Sequence, residues 1–250
     1  MLLSTAYLSV SEELAGAVHI PLAELPKRTL ELPPPHKLVR VVRNSVEAYY
    51  ALGWLHARGW RAVLAEPPVD VQPNARYRLW EPNEWLEIVV PHLTVGHALD
   101  LGCGTGRDAV FLADCGWQVV AVDRLPEALE RGRMLQHRYA PDSPPVEWVC
   151  ADLEKSDWSP SGKFDLITLF FFFSWAVLER ALHWLAPDGS LLIEAFTAEH
   201  RARYGKPASE ARTASADTLR QTVENTLKVL HCSEGWRASG RHTVRLWARR

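Results

Sequence analysis

The stretch Ala98-Leu-Asp-Leu-Gly-Cys-Gly-Thr-Gly-Arg-Asp108 places three glycines at alternate positions, directly after a short apolar run. An apolar run that ends in this way predicts a strand followed by a tight loop. The loop opens a helix whose first N–H groups point at the same place. Because glycine lacks a Cβ, the backbone there can take positive φ and approach a ligand closely. The stretch therefore predicts a ligand-binding loop between a strand and a helix.

The spacing of the glycines indicates which ligand the loop holds. A dinucleotide fingerprint requires Gly-x-Gly-x-x-Gly, whereas this chain has glycine at 102, 104 and 106 and Arg107 in place of the third dinucleotide glycine. Asp100 would repel a pyrophosphate and favours a ligand with a cationic group such as an ammonium. The stretch resembles motif I of the class I S-adenosylmethionine-dependent methyltransferases. The resemblance implies S-adenosylmethionine as the cofactor.

Two acidic residues follow later predicted strands. Asp123 closes the strand at 118–122, twenty-one positions after Gly102. It is placed to accept hydrogen bonds from both ribose hydroxyls of a nucleoside, although a solvated aspartate at a strand end is the simpler interpretation of such a residue alone. Asp152 follows the strand at 146–150 and resembles the family's acidic position that contacts the adenine amino group, with Leu153 against the ring.

The resemblance implies a cofactor site but no catalytic group. Trp80, just ahead of a predicted helix, is the candidate aromatic cover for the methionine end of the cofactor, while packing against the sheet is the simpler alternative. In-line methyl transfer depends on alignment and needs no base, so Glu194, Thr197 and His200 are candidates by position only. His92 and His97 lack helical ligand spacing, and no metal site is predicted. The predicted cofactor-binding residues are Asp100, Gly102, Cys103, Gly104, Gly106, Asp123, Arg124, Asp152, Leu153, Phe170 and Trp80.

The strand predicted at 164–169 runs into four phenylalanines, and its end is expected to border the reaction centre. An Asn/Asp-Pro-Pro-aromatic turn is absent there, which argues against an amide or adenine-N6 acceptor. The strings Arg107-Asp-Ala-Val-Phe-Leu-Ala and Ile193-Glu-Ala-Phe-Thr resemble small-molecule methyltransferases of the tellurite-resistance and thiopurine type. This resemblance implies a small acceptor with a soft sulfur, selenium or tellurium nucleophile. Residues 197–214 are predicted to form a long irregular stretch, either a lid or substrate loop or a mobile surface loop.

The first part of the chain resembles a rhodanese domain, from the His19-Ile-Pro-Leu segment to the helix that ends at Arg58-Gly-Trp. The family's nucleophilic cysteine would stand at Val42, and no cysteine precedes Cys103. Sulfur transfer through a persulfide is therefore excluded, and the domain is interpreted as an inactive docking or stabilising module. The predicted boundaries are 1–66 for this domain, 67–77 for a proline-containing linker and 78–250 for the methyltransferase domain.

Composition limits the remaining possibilities. The chain has 250 residues, of which 47% are hydrophobic and 23% charged, which is typical of a globular protein. A formal net charge of −2 gives no general case for nucleic-acid binding. Four cysteines without a Cys-x-x-Cys pair favour a reduced, cytoplasmic location, and no apolar run approaches the ~20 residues of a membrane span.

The sequence therefore predicts an α/β protein with a Rossmann-like, seven-stranded methyltransferase sheet and a smaller α/β rhodanese-like N-terminal domain. The last strand is expected to insert antiparallel. The predicted activity is methyl transfer from S-adenosylmethionine to a small-molecule acceptor. Two alternatives stay open, a non-catalytic sensor or scaffold that binds S-adenosylmethionine and a nicotinamide-dependent oxidoreductase of the same fold. The sequence does not indicate the acceptor's identity or the oligomeric state.

Overall fold

The structure, a computed structural model, describes residues 2–72, 74–155 and 157–250. It divides into a first unit, residues 1–82 with 137–141, and a second unit, residues 83–136 with 142–250. The first unit extends past the sequence-based boundary at 66 because strand β6 (Tyr77–Arg78) pairs with strand β1 (Leu3–Ser4). The segment 137–141 is held to it by the hydroxyl of Tyr139, which donates to buried Glu31 at 2.6 Å. Within the described ranges, no helix is long and apolar enough to cross a bilayer.

The first unit is built on a four-stranded sheet in the order β3-β2-β4-β5, and all its strand pairs are parallel. The run Leu38–Val42 forms its buried central strand, as its continuous apolar character predicts. The predicted helix follows and is stopped by Gly59 at φ +84°. The elements are β2 (Tyr7–Ser9), β3 (Val18–His19), a 3₁₀ turn (Thr29–Glu31), β4 (Leu38–Val42), α1 (Glu47–His56) and β5 (Arg61–Ala65).

The second unit contains a seven-stranded sheet in the order β12-β13-β11-β10-β7-β8-β9. Strands β7 to β11 run parallel, whereas β13 inserts antiparallel between β11 and β12, which confirms the predicted sheet. The strands are β7 (His97–Leu101), β8 (Gln118–Asp123), β9 (Glu147–Cys150), β10 (Phe164–Phe170), β11 (Leu185–Phe196), β12 (Lys228–Trp236) and β13 (His242–Arg249). The helices are α2 (Glu84–Val89), α3 (Arg107–Asp114), α4 (Pro126–Tyr139), α5 (Trp175–Trp184), α6 (Ala198–Tyr204) and α7 (Ala216–Val223), with 3₁₀ turns at Val90–His92 and Glu210–Arg212.

The core of the second unit lies along the central strands, whose residues are apolar on both faces. Leu99, Ile167 and Ile193, from three neighbouring strands, are fully buried. Continuous apolar strands of this kind are typical of a parallel sheet covered on both sides by helices. Since the strands run parallel, the carboxyl ends of β7, β8, β10 and β11 lie at the same edge of the sheet. Ligands of open α/β sheets bind at this edge.

The stretch 197–214 is not irregular throughout, so the prediction for its first half is wrong. Helix α6 begins after Thr197, whose hydroxyl oxygen accepts the N–H of His200 at 3.3 Å. It ends at Gly205, which takes φ +68°. A threonine N-cap and a glycine C-cap are ordinary helix signals, but the seven residues between them are too few to show a clear apolar period.

Helix α7 begins with a capping box that gives a stability prediction. The Ser215 hydroxyl oxygen accepts the N–H of Thr218 at 3.2 Å, and the Thr218 hydroxyl oxygen accepts the N–H of Ser215 at 3.1 Å. We expect Ser215→Ala to lower the free energy of unfolding by about 1 kcal/mol, measured by urea denaturation. Ser209→Ala is the matched control, because the Ser209 side chain makes no capping hydrogen bond. Equal effects of the two substitutions would contradict the capping role.

Candidate active site

The glycine loop between β7 and α3 is fastened to the end of strand β8. The N–H groups of Gly102 and Cys103 both donate to the carbonyl oxygen of Val122, at 2.9 and 3.0 Å. The N–H of Gly104 donates to a carboxylate oxygen of Asp123 at 2.9 Å. These hydrogen bonds hold the backbone of the loop in one conformation. Asp100, near the end of β7, and Asp123, at the end of β8, lie beside it.

Two of the loop glycines make room for aromatic rings. Gly102 has φ +74°, and a Cβ added there would lie 2.4 Å from the Cβ of Phe172. Gly106 has the same φ, and a Cβ there would lie 2.3 Å from the ring of Trp148. Phe172 and Trp148 are thus structural partners of the loop that the sequence interpretation did not identify. The phenylalanine run pointed towards the first, whereas no local signal pointed towards the second.

Asp100 is a buried carboxylic acid at the carboxyl end of the sheet, 2% exposed. One carboxylate oxygen accepts the hydroxyl of Thr168 from strand β10 at 2.8 Å. The other oxygen finds no hydrogen-bond partner among the described residues. Burial, together with the neighbouring carboxylate of Asp108, raises the pKa of Asp100 to about 8. A cation next to the unpartnered oxygen would stabilise the ionised form of this group.

Asp108 lies in the first turn of α3 and carries a second perturbed carboxyl. Its Oδ1 accepts the backbone N–H of Asn83 at 2.6 Å, which joins α3 to the start of α2. Burial raises the pKa of Asp108 to about 6, although the hydrogen bond from Asn83 and the charge of Arg107 act in the opposite direction. The sequence interpretation gave this residue no role, because an acidic residue in the first turn of a helix is common.

The structure brings Asp123 and Asp152 to adjacent strand ends, as predicted. Besides the loop N–H, Asp123 accepts the N–H of Leu125 at 3.0 Å. Its carbonyl oxygen accepts the N–H of Ala151, the residue before Asp152, at 3.0 Å. A carboxylate has about four acceptor positions, so Asp123 can still accept from a ligand while it holds the loop. Leu153 is buried in the core next to Asp152.

The other predicted cofactor residues differ in their exposure. Arg124 is exposed, and its carbonyl oxygen faces the thiol of Cys150 at 3.8 Å. Burial raises the pKa of the Cys103 thiol, so this cysteine is not a ready nucleophile. Phe170 is buried at the end of β10. Trp80 lies fully buried in the first unit, and its role against a cofactor stays a prediction.

The three positional candidates for catalysis have structural partners. The carboxylate of Glu194 accepts the hydroxyl of Thr243 at 2.8 Å and lies 3.1 Å from Nε of Arg245. Thr197 caps α6, and its hydroxyl lies 2.7 Å from Nδ1 of His242. His200 stacks on Phe196 with ring centroids 4.4 Å apart. Glu194 is therefore ion-paired within the sheet, while the other two lie on the α6 side of the strand ends.

Residues 98–189, which include the glycine loop and the carboxyl ends of β7, β8, β9 and β10, match the family model described as "Methyltransferase domain". The chain is also similar to Nodulation protein S of Bradyrhizobium diazoefficiens, with 26% identity over 149 residues that span 55% of this chain and 66% of that protein. These matches decide the class. The second unit is a methyltransferase that uses S-adenosylmethionine.

Two solved structures share the fold of this methyltransferase unit. One is the N-methyltransferase NodS of Bradyrhizobium japonicum WM9 in complex with S-adenosyl-L-homocysteine, with 18% identity, a TM-score of 0.53 and coverage of 66% of this chain and 83% of that one. The other is TehB of Haemophilus influenzae, with 16% identity, a TM-score of 0.54 and coverage of 68% and 62%. At these identities the likeness is one of fold.

The residues of the methyltransferase unit fit this cofactor. It carries an ammonium and a sulfonium group, and the unpartnered, buried oxygen of Asp100 is complementary to a cation. Any Cβ at residue 102 would occupy the space between the loop and Phe172. A ligand can approach the backbone there only because the residue is glycine. The loop does not match the Gly-x-Gly-x-x-Gly fingerprint of dinucleotide-binding sites, because Arg107 stands in place of the third glycine.

Proposed function

We propose that the methyltransferase unit holds S-adenosylmethionine across the ends of β7, β8 and β9. In this proposal Asp100 receives the ammonium group, Asp123 the ribose hydroxyls and Asp152 the adenine amino group. The glycines at 102, 104 and 106 supply the backbone, with Cys103, Arg124, Leu153 and Phe170 around them. The order of three carboxylates along adjacent strand ends supports the assignment.

The proposed acceptor is a small molecule with a soft nucleophile, such as a thiolate, a selenolate or a tellurium oxyanion. One observation carries this part of the proposal. Next to Gly102, where an acceptor amide or amine would need carbonyl partners, stands the half-buried ring of Phe172, which Phe171 precedes in the chain. A polarisable sulfur, selenium or tellurium atom interacts favourably with aromatic rings and needs no hydrogen-bond acceptor.

Methyl transfer requires the side chains mainly to align the methyl donor and the nucleophile. When bound, the cofactor supplies a methyl group on a sulfonium, which leaves by in-line displacement. The protein's part is to fix donor and nucleophile in line, and such positioning supplies most of the acceleration in reactions of this type. The rings of Phe171 and Phe172 would exclude water from this position. An ionised thiolate carries no proton, so no catalytic base is needed.

The test is a methyl-transfer assay with S-adenosylmethionine and separate panels of thiols, selenols, tellurite and primary amines. Formation of S-adenosylhomocysteine together with a methylated product identified by mass is the readout. We expect products from the soft nucleophiles. Products from the amine panel alone would overturn the acceptor class but not the cofactor assignment.

A second candidate is N-methylation of a small amine. It is favoured by the similarity to Nodulation protein S over 149 residues and by the fold shared with a protein described as an N-methyltransferase. Both acceptors attack in their unprotonated form, so both rates rise with pH. A thiol with a pKa of about 8.5 begins to level off near pH 9, whereas a primary amine with a pKa of about 10.4 does not. The mass of the methylated product, together with this difference near pH 9, separates the two candidates.

We further propose that residues 1–66 form a rhodanese-like module that cannot transfer sulfur. The parallel four-stranded sheet with a helix after its central strand supports this proposal, and the absence of cysteine before Cys103 excludes a persulfide. The sequence contains no Cys-x-x-Cys pair, which supports the proposal of a reduced, cytoplasmic compartment.

A further inference from the structure

Six rings form a continuous series on the α6 side of the sheet, and we name them the ring cluster. Neighbouring centroids are 5.1, 4.4, 4.7, 6.3 and 5.0 Å apart along the series. These separations are those of packed aromatic pairs. In order, the members are Phe171, Phe196, His200, Tyr204, Trp236 and His242.

The inner end of the ring cluster adjoins the glycine loop. Phe171 follows strand β10 directly, and the next residue, Phe172, packs on Gly102. Phe171 takes φ +59°, a left-handed conformation that is unfavourable for a bulky side chain. Its N–H donates to the carbonyl oxygen of Glu194 at 2.8 Å, which holds the turn. Strain of this kind concentrates at functional positions, because it persists only where the surroundings enforce it.

The outer end of the ring cluster is accessible to solvent. Tyr204 is 48% exposed and Trp236 is 43% exposed, whereas His200 is buried between Tyr204 and Phe196. Exposed large rings that continue from a buried set offer a flat ligand a surface for stacking. The ring cluster therefore leads from solvent to the residue beside the glycine loop.

Two arginines lie over rings of the ring cluster. The guanidinium of Arg241 lies over the ring of Phe171 at 4.7 Å, and that of Arg203 lies over Trp236 at 4.8 Å. Burial lowers the pKa of His200, and the charges of Arg241 and His242 lower it further. Nδ1 of His200 accepts the N–H of His242 at 3.2 Å, so the neutral ring carries its proton on Nε2 and can only donate there.

We propose that the ring cluster is the acceptor site, and that Arg203 and Arg241 select a flat acceptor with an anionic group separate from its nucleophile. This inference rests on the proposed function. Stacking on Tyr204 and Trp236 recognises the flat ring, and the two exposed arginines recognise the charge. For a thiolate acceptor, the sulfur lone pair forms the new bond to the methyl carbon. The bond from that carbon to the sulfonium breaks, its electron pair stays on the departing sulfur, and no proton is released.

The first experiment compares three thiols with S-adenosylmethionine. 4-Mercaptobenzoate has a ring and a charge, 4-methylbenzenethiol lacks the charge, and 3-mercaptopropionate lacks the ring. We expect kcat/KM to be about tenfold higher for 4-mercaptobenzoate than for either of the others, since a charged hydrogen bond contributes about 1.5 kcal/mol or more. Equal values for the charged and uncharged aromatic thiols would overturn the inference.

The second experiment uses variants. Arg203→Gln and Arg241→Gln are expected to raise KM for 4-mercaptobenzoate more strongly than KM for 4-methylbenzenethiol. Arg133→Gln is the matched control, because Arg133 is exposed on α4 and pairs with Glu130. A loss that is the same for both thiols would show a merely structural role and would overturn the assignment of the two arginines.

A binding measurement separates this inference from the proposed function. 4-(Methylsulfanyl)benzoate is titrated calorimetrically into the protein saturated with S-adenosylhomocysteine. Binding that weakens in Arg203→Gln, without methylation of any thiol, would support the acceptor site and overturn the soft nucleophile. Methylation of thiols without preference for charge, and without such binding, would support the soft nucleophile and overturn the acceptor site.

Discussion

Gly102→Ala is expected to weaken the binding of S-adenosylhomocysteine by about 100-fold or more, which corresponds to at least about 2.7 kcal/mol. The new Cβ would lie 2.4 Å from the Cβ of Phe172, whereas real contacts of this kind are longer than 3.0 Å. The conformation at φ +74° also costs a side chain about 1–2 kcal/mol. Either the loop or the turn after β10 must move, and both border the proposed cofactor. Isothermal titration calorimetry measures the affinity.

Gly104→Ala is the matched control for this substitution. Gly104 also has positive φ, but a Cβ there meets no atom within 4 Å. We expect an affinity loss below about tenfold, from backbone strain alone. Phe172→Gly in the Gly102→Ala background removes the opposing Cβ and is expected to restore part of the affinity, while Phe172→Ala is not. Equal losses for the two single glycine variants, with unchanged thermal unfolding, would contradict the steric explanation.

The strands of the second unit and the antiparallel last strand were predictable because the elements end at strong local signals. Gly102 and Asp123 mark the ends of strands and Gly116 marks the end of helix α3. Helix α6 was not predicted, since its stability comes from Thr197, Gly205 and packing of His200 against rings distant in the chain. A helix of seven residues is marginal without tertiary contacts.

The candidate site divides in the same way. Asp100 and Asp123 lie at the carboxyl ends of predicted strands and Asp152 lies shortly after one, so their common edge could be derived from the sequence. Trp148 lies on β9 and Phe172 in the turn after β10, and only the fold places them in the space next to two glycines. Arg203 and Arg241, which lie over rings of the ring cluster, are likewise separated from Phe171 by long stretches of chain. Spacing in the sequence carries no information about such contacts.

Asp100→Asn is expected to weaken binding of S-adenosylhomocysteine by about 100-fold and to abolish the dependence of this affinity on pH. Burial and the charge of Asp108 raise the pKa of Asp100 to about 8, so the free wild-type protein holds a proton there at neutral pH. An ammonium beside the carboxylate favours the ionised form, and binding then releases the proton. Wild-type affinity should therefore rise with pH up to about 8 and level off above it.

The same pKa makes a separate prediction for folding. A raised carboxyl pKa means that the folded protein binds the proton more tightly than the unfolded chain, whose value is near 3.8. The stability from this group is complete below about pH 4 and is lost as pH rises towards 8. In Asp100→Asn this part of the pH dependence should vanish, so the variant without ligand should be more stable than the wild type above pH 8.

Calorimetry at pH 7 in two buffers of different ionisation enthalpy counts the protons released on binding. Wild type should release up to about one proton more than Asp100→Asn. Asp165→Asn serves as the control, because Asp165 lies at the amino end of β10, where its carboxylate accepts the N–H of His97. An Asp100→Asn variant that binds like the wild type at pH 8 would remove Asp100 from the cofactor site. The unpartnered oxygen of Asp100 would then only lower the free energy of unfolding. The ammonium would have to be held by Asp108 or by backbone carbonyl groups of the loop.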